Sequence, residues 1–196
     1  MDGPDEGTGF SPRKAPLGVK ADNPSMSLAP PTLAQAPSFD TASFRGALGM
    51  FATGVTIVTA RAADGTLVGL TASSFNSVSL NPPLVLWSLS QNAASMAVLR
   101  DVTHYAINIL SAEQQALALT FASKDADRWA GVPYELGRSG APLLHGAVAS
   151  FECFNRSRYT EGDHVIFVGE VEHCSHQSGA APLLYHGGKF YTEHPL

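Results

Sequence analysis

The stretch from Val55 to Ala72, VTIVTARAADGTLVGLTA, decides the fold class of this chain. Its first five residues form a β-branched run, and such runs favour a strand. The pair Asp64-Gly65 is typical of a tight hairpin turn, so residues 66–72 are expected to return as the partner strand. The folded part of the chain is therefore predicted to begin with antiparallel β-structure.

Short apolar segments bounded by chain-breaking residues follow this hairpin. Residues 84–89 come directly after Asn81-Pro82-Pro83, and residues 104–110 form another apolar run, so both are predicted to be buried strands. Further extended segments are expected at residues 73–79, 147–156, 165–173 and 189–192.

Helices are predicted to be few and short. Phe44, Leu48 and Phe51 are spaced by four and three residues, which places them on one helical face. Ser38 or Asp40 is the expected N-cap of this helix.

Two later helices are predicted from capping residues. Asn92 can cap a short helix that reaches residue 99, and Ser111 with Gln114 fits a capping box. Because the strands do not alternate regularly with long helices, a doubly wound parallel sheet is disfavoured. A mostly β fold, a closed antiparallel barrel with a few short flanking helices, fits better, since closure removes exposed strand edges.

The composition limits the possible partners. Charged residues make up 15% of the 196 residues, and the net charge is −5. The low charged fraction has two open explanations, a surface used in subunit contact or an Ala-rich composition. No Lys/Arg cluster could follow a phosphate backbone, so no nucleic-acid partner is expected. No stretch approaches the roughly 20 apolar residues of a membrane span and no secretory signal precedes the domain, so we expect a soluble, cytoplasmic protein.

The two cysteines and their neighbours give no clear metal site. Cys153 and Cys174 are expected to be reduced thiols, because no secretory signal is evident. His173, Cys174 and His176 crowd together, but no second pair completes a zinc set of four ligands. We therefore predict no bound metal.

Residues 1–37 differ from the rest of the chain. They hold seven of the 13 prolines and one aromatic residue, Phe10. Such a segment cannot bury enough apolar surface to offset its ordering entropy, so a disordered or surface-draped tail is predicted. Residues 38–196 are predicted to form one folded domain.

Three common motifs are missing from the sequence. No G-x-G-x-x-G follows a strand, and neither G-x-x-x-x-G-K-[ST] nor G-x-S-x-G occurs. Rossmann and P-loop phosphate sites and a hydrolase nucleophile elbow are therefore unsupported.

Several segments together resemble the flavin reductase family that includes the reductase components of two-component flavin monooxygenases. The matching segments are Phe44-Arg45, FATGVTIVT at 51–59, GLTASSF at 69–75, SVSLNPPLV at 77–85, INIL at 107–110, Gln114-Gln115, Phe121-Ala122, GDHVI at 162–166, VGEV at 168–171 and PLLY at 182–185. The resemblance implies a split β-barrel, a homodimer, and a flavin groove near the subunit boundary. It also implies that NAD(P)H reduces FAD or FMN and that a partner monooxygenase receives the reduced flavin. NADH is favoured over NADPH, because no Arg cluster is evident for a 2′-phosphate.

The resemblance places the flavin ring against Thr71-Ala72-Ser73-Ser74, where small residues let the backbone approach. The alternative is a hydroxyl-rich barrel strand without a ligand. For the flavin phosphate, hydroxyl and amide groups at the start of a short helix suit an anion. That helix start carries Ser88, Ser90, Asn92 and Ser95.

The phosphate prediction has a weakness in this chain. Many relatives carry a basic residue near this position, whereas this chain has Gln91-Asn92. Looser flavin binding is one consequence, and simple N-capping by Asn92 is the alternative to a phosphate site.

Other candidates have both a functional and a structural interpretation. Asn108, in an apolar strand, either binds flavin or pins a neighbouring strand, and Phe121 either walls the flavin or packs in the core. Thr53 and Ser79 are flavin candidates through the resemblance alone. The resemblance places His164 by the nicotinamide pocket, where its ring is expected to contact the nicotinamide, with Asp163 orienting the turn; the alternative is a structural histidine. A flavin-carrying barrel protein without nicotinamide turnover remains the alternative to an enzyme.

Overall fold

The structure is a computed structural model that describes residues 37–124 and 127–194. The predicted tail at residues 1–37 lies outside the described residues except for Pro37, so that prediction stays untested. The helices are α1 (Thr41–Gly49), α2 (Met96–Asp101) and α3 (Gln115–Ala122), the last preceded by a 3-10 turn at Ala112–Gln114. The strands are β1 (Thr53–Gly54), β2 (Thr56–Arg61), β3 (Leu67–Ala72), β4 (Asn76–Leu80), β5 (Pro83–Ser90), β6 (His104–Ile109), β7 (Tyr134–Leu136), β8 (Pro142–Leu144), β9 (Ala149–Glu161), β10 (His164–His176), β11 (Leu184–His186) and β12 (Lys189–Tyr191).

Seven strands form one antiparallel sheet in the order β3-β2-β6-β9-β10-β5-β4. The predicted hairpin is its first element, and the Asp64 side chain accepts a hydrogen bond from the Thr66 backbone N–H at 2.9 Å in the turn. Two smaller sheets, β1-β11-β12 and β7-β8, flank it. The fold is mostly β and antiparallel, as predicted.

The large sheet curves around one core. Residues of this core come from β2, β3, β5, β6, β9 and β10, and Trp87 at its centre stacks on Phe167 with ring centroids 4.7 Å apart. In the described part of the chain, however, β3 and β4 end the strand order and no hydrogen-bonded ladder joins them. The closed barrel is therefore not established by the strand pairing.

A second core lies where α3 packs on the sheet. Phe121 is fully buried there and meets Trp129 edge-on, with ring centroids 5.0 Å apart. The predicted capping box before α3 is confirmed, because the Ser111 backbone N–H donates to Gln114 Oε1 at 3.0 Å. This cluster keeps α3 next to the C-terminal end of β3.

The first helix is capped as predicted but its apolar face is not covered. Asp40 accepts a hydrogen bond from the Ser43 backbone N–H at 2.7 Å. Phe44 and Leu48 are about half exposed, and Phe51, which lies beyond the end of α1, is 70% exposed. Phe44 and Leu48 lie in the predicted helix, but the prediction that Phe51 shares its face is wrong, because α1 ends at Gly49.

The prediction that Asn92 caps α2 is wrong. The N-cap position is Ser95, and residues 91–95 form turns in which the Ala93 backbone N–H donates to Ser90 O at 3.0 Å. These turns use the backbone groups that a helix starting at Asn92 would need, so α2 begins later and has only six residues.

The remaining differences are strands longer than predicted or missed. β9 and β10 each span 13 residues, because they pair with one another along nearly their full length. β7, β8 and β11 have three residues each, too short for a period-2 pattern to appear. Cys153 is buried, Cys174 is exposed, and both are free thiols. No helix in the described part of the chain has the length and apolar character that a membrane span requires.

Candidate functional site

Three distant segments meet in one groove at the rim of the large sheet, with a volume of about 330 Å³. The register explains the meeting, because His164 at the start of β10 lies opposite Ser90 at the end of β5. We call this site the rim groove, and its lining residues are Leu70, Thr71, Ala72, Ser73, Ser74, Ser88, Leu89, Ser90 and His164. Seven of the residues predicted from sequence to bind a cofactor therefore lie together.

Two of these hydroxyl groups already hold the protein backbone. Ser74 Oγ accepts a hydrogen bond from the Ser88 backbone N–H at 2.9 Å and donates to Ser88 O at 3.3 Å. Thr71 Oγ1 donates to Ala118 O at 2.6 Å, which ties β3 to α3. These side chains shape the groove, and their hydroxyl groups have little capacity left for a ligand.

Ser73 is different from both neighbours. Its side chain is exposed, and its hydroxyl makes no hydrogen bond with any described residue. Its donor and acceptor capacity is therefore available to a ligand in the groove.

His164 is held by its neighbour in sequence. Its Nδ1 lies 2.7 Å from Asp163 Oδ1, and this hydrogen bond, followed by the charge of His164, lowers the pKa of Asp163. An ionised carboxylate only accepts hydrogen bonds, so Nδ1 donates and Nε2 is left for another partner. Gly162, with a φ of +57°, turns the chain between β9 and β10 and delivers Asp163 and His164 to the rim. The imidazole is still 47% exposed.

A second cavity of about 630 Å³ adjoins the rim groove, because Ser73 lines both. We call it the α1 cavity, and it is lined by Arg45, Gly46, Leu48, Gly49, Met50, Phe51, Thr53, Ser73, Tyr185, Gly187 and Gly188. Thr53, a predicted flavin candidate, lies here. Its Oγ1 is buried and has no hydrogen-bond partner among the described residues, which is unusual for a buried hydroxyl.

All the hydrogen-bonding groups of the Asn108 side chain are occupied by residues of the protein interior. Its Nδ2 donates to Ile57 O and Thr59 Oγ1, both at 3.2 Å. Its Oδ1 accepts from the Leu144 backbone N–H and from Ser150 Oγ, both at 3.0 Å. The residue has no exposed surface, so the structure supports the strand-pinning interpretation.

Four other predicted residues also lie away from both cavities. Phe121 is in the second core, and Ser79 Oγ accepts from the Asn81 backbone N–H at 3.2 Å in the β4–β5 turn. Asn92 and Ser95 precede the six-residue α2 without lining the groove. Flavin contacts from these four stay predictions.

A buried carboxylate that the sequence did not single out lies far along β9 from the groove. Glu152 is 6% exposed, and its Oε2 accepts from Ser139 N and Ser139 Oγ, both at 2.7 Å. Burial by itself raises the pKa of Glu152, but these hydrogen bonds, the Arg138 backbone and the charge of His173 outweigh it and lower the pKa. Across residues 37–124 and 127–194, no three His, Cys, Asp or Glu side chains cluster as metal ligands would.

Sequence reasoning also missed the α1 cavity. Arg45 and the pair Gly187-Gly188 were not singled out as site residues, although Arg45 is the one charged residue inside an otherwise uncharged helix. Only the packing of α1 beside the β11–β12 turn, where the Gly187 backbone N–H donates to Gly49 O at 2.8 Å, brings these residues together.

Comparison with known proteins agrees with this geometry. The family model described as "Flavin reductase like domain" matches residues 48–194. The chain is 43% identical to "FMN reductase (NADH) SmoA" of Agrobacterium fabrum, covering 76% of this chain and 83% of that protein. It is 36% identical to "Flavin-dependent monooxygenase, reductase subunit HsaB" of Rhodococcus jostii, covering 79% of each.

A solved structure extends the similarity to three dimensions. The Streptomyces globisporus "NADH:FAD oxidoreductase SgcE6 in complex with NAD and FAD fragments" superposes with a TM-score of 0.76 at 39% identity. The match covers 80% of this chain and 94% of that one.

Proposed function

The chain belongs to the flavin reductase-like domain family, and from this premise we propose that it oxidises NADH and reduces FAD or FMN. We further propose that it passes the reduced flavin to a partner monooxygenase, because the Rhodococcus relative is named the reductase subunit of a flavin-dependent monooxygenase. The observation that carries the proposal is the rim groove, where residues 71–74, Ser88, Ser90 and His164 converge from three strands.

The residues present fit a flavin. When bound, the flavin supplies the ring that accepts hydride. The exposed hydroxyl of Ser73 and the buried, unpartnered hydroxyl of Thr53 offer hydrogen bonds that no other described residue takes. Ser74 and Thr71 keep the backbone of this segment in place, so the groove does not need to reorganise on binding.

His164 and Asp163 act on the nicotinamide side of the groove. Asp163 fixes the orientation of the imidazole through Nδ1, and Nε2 is the atom available to hydrogen-bond a carboxamide. The pair positions the nicotinamide, since hydride transfer between two such cofactors needs little acid–base assistance.

The groove also suits a flavin that exchanges. None of its lining residues is Lys or Arg, and most of its polar groups are neutral hydroxyls. Neutral hydrogen bonds are weaker than charge-assisted ones, so the groove by itself is expected to hold the flavin ring with modest affinity. Modest affinity favours release of reduced flavin to a second protein.

A spectrophotometric assay tests the activity. NADH oxidation is followed at fixed enzyme while FAD or FMN is added in catalytic amounts, and NADPH replaces NADH in a parallel series. We expect oxidation to rise with flavin concentration and to be faster with NADH. Flavin binding without any rise would favour the flavin-carrying protein instead.

We propose that the curved sheet is a closed split barrel. Ala72 at the end of β3 and Val85, Trp87 and Leu89 on β5 share one core, which requires the two ends of the sheet to approach each other. Ser74 ties the segment after β3 to Ser88 on β5. Amide hydrogen exchange tests closure, because a closed barrel protects the amides of both end strands and an open sheet leaves them exchanging fast.

We propose that the enzyme is a homodimer. Phe44 and Leu48 on α1 are about half exposed, and Leu80 at the end of β4 is 95% exposed. Exposed apolar side chains of this size are typical of an interface, and a second copy is the partner that the family relationship favours. Analytical ultracentrifugation should give twice the chain mass for the wild type and a smaller mass for Phe44→Asp. A monomeric wild type at micromolar concentration contradicts this proposal.

A cytoplasmic location is proposed on the chemistry of the two thiols. Cys153 and Cys174 are unpaired, and a reducing compartment keeps such thiols free.

A further inference from the structure

The phosphate-bearing part of the cofactors has no cation in the rim groove. The predicted phosphate residues Asn92 and Ser95 lie outside the groove, and α2 is too short to offer a strong helix N-terminus. The chain has a net charge of −5, so its overall field does not attract phosphates either. A specific cation near the groove would solve this problem.

We propose that Arg45, in the α1 cavity, binds a phosphate group of the bound flavin or nicotinamide cofactor. This proposal rests on the proposed function. Arg45 is the only Lys or Arg among the residues that line the α1 cavity, and Ser73 lines both this cavity and the rim groove.

The electrostatic surroundings of Arg45 support this role. Arg45 is near enough to Asp163 for its positive charge to help lower the pKa of that carboxyl, after the larger contributions of His164. Among the described residues no carboxylate forms an ion pair with Arg45, so its guanidinium keeps its donors for a ligand.

The neighbours of Arg45 leave room for a phosphate. Gly46, Gly187 and Gly188 line the same cavity, and a Cβ at any of the three would meet nothing within 4 Å. Gly187 and Gly188 have φ values of +56° and +80°, so glycine is the residue that this open turn tolerates. The unpartnered Oγ1 of Thr53, another lining residue, adds a neutral hydrogen-bonding group to the same cavity.

The chemistry at Arg45 is shared by several cofactors. A guanidinium binds the monoester of FMN, the pyrophosphate of FAD and the pyrophosphate of NADH through the same paired N–H donors. The experiment must therefore compare each cofactor with an analogue that lacks phosphate. Riboflavin is the analogue of FMN, and 1-benzyl-1,4-dihydronicotinamide is the analogue of NADH.

The variants are Arg45→Gln, which removes the charge, and Arg45→Lys, which restores it without the planar fork. Arg61→Gln is the matched control, because Arg61 is another exposed arginine that lines neither the groove nor the α1 cavity. Two readouts are used: kcat/KM for each cofactor and analogue, and the Kd of FMN and of riboflavin from flavin fluorescence without NADH.

We expect Arg45→Gln to lower kcat/KM for at least one phosphate-bearing cofactor by about 10- to 100-fold, the range of a lost charge-assisted hydrogen bond. The phosphate-free analogue of that cofactor should be unaffected, and Arg45→Lys should recover part of the loss. A loss confined to FMN assigns the flavin phosphate, and a loss confined to NADH assigns the dinucleotide pyrophosphate. Arg61→Gln should change neither readout.

Two results would overturn the proposal. One is an equal loss with and without phosphate, which would show that Arg45 acts on the fold of α1. The other is no loss with any cofactor. Failure of the proposed function is recognised separately, because a wild-type protein that binds flavin but does not oxidise NADH still reports through the FMN and riboflavin Kd values.

Discussion

The interior around Asn108 and the rim groove around His164 both contain polar side chains within a β-sheet that is rich in apolar side chains. Asn108 is fully buried, and its amide makes four hydrogen bonds to residues of three other strands, β2, β8 and β9. His164 is 47% exposed with one ring nitrogen engaged, and Ser73 beside it is exposed with none of its capacity used by described residues.

This difference in occupied hydrogen-bonding capacity distinguishes structural polar residues from functional ones. A buried polar group must satisfy its hydrogen bonds within the protein, whereas a group that serves a ligand has to keep some of that capacity. Ser74 and Thr71 are intermediate, because they line the groove but their hydroxyl groups are hydrogen-bonded to the backbone of Ser88 and Ala118. The comparison therefore predicts large stability effects in the interior and kinetic effects at the rim.

The largest effect is expected for Asn108→Ala. The change leaves Leu144 N–H and other buried groups without partners, so the free energy of unfolding should fall by about 3 kcal/mol. Urea unfolding measures this fall, with Asn92→Ala, at an exposed asparagine, as a control expected to change little. If Asn108→Ala kept wild-type stability and bound flavin more weakly, Asn108 would be a flavin-binding residue and not a stabilising residue of the interior.

A crowding variant should rank next. A Cβ at Gly169 would lie 2.4 Å from Tyr105 Oη and 2.9 Å from Cys153 Cβ, in the first core. Gly169→Ala should therefore lower the free energy of unfolding by about 1–3 kcal/mol through overpacking. Thermal unfolding tests this, and Gly54→Ala, whose Cβ meets nothing within 4 Å, is the matched control. If Gly169→Ala were as stable as Gly54→Ala, the core around Gly169 would be able to accommodate the added methyl group.

Glu152→Gln should have a smaller, pH-dependent effect. Glu152 has a pKa lowered from the usual 4.5, so its ionised form stabilises the fold above that value and loses this contribution as pH falls through the folded pKa. We expect the variant to be less stable by about 1–2 kcal/mol at pH 7, from two charge-assisted hydrogen bonds, with the difference fading in acid. Urea midpoints at pH 7 and pH 3 provide the measurement. A difference that grows toward pH 3 has the wrong sign for this account.

The smallest effect on stability, and a clear one on kinetics, is expected at the rim. His164→Ala should raise the KM for NADH by about 5- to 10-fold, a loss typical of one hydrogen bond, while flavin affinity and the unfolding midpoint stay the same. His176→Ala is the matched control, since His176 is exposed at the opposite end of β10. Unchanged kinetics in His164→Ala would remove this histidine from the site.

Short-range features were the part of the fold that the sequence predicted well. The 55–59 run, the Asp64-Gly65 turn, the Asp40 cap and the Ser111–Gln114 box all involve residues within a few positions of one another. Within the site, residues 71–74 and His164 were found because the motifs of a known family point to them, and residues 71–74, Ser88, Ser90 and His164 do converge. The cap at Asn92 failed because turns at residues 91–95 compete for the same backbone groups.

What the sequence by itself determined is the class of structure and the family: antiparallel strands, short helices, and the motifs that flavin reductases share. The tertiary structure was needed to show which polar side chains have their hydrogen bonds satisfied within the protein and which can still bind a ligand. Asn108 meets Ile57 across 51 positions, His164 meets Ser90 through the β10–β5 register, and Arg45 lines one cavity with Ser73. The physical reason is that cross-strand partners are set by register and by the packing of the whole sheet, whereas a local pattern carries only the preference of each segment for strand or helix.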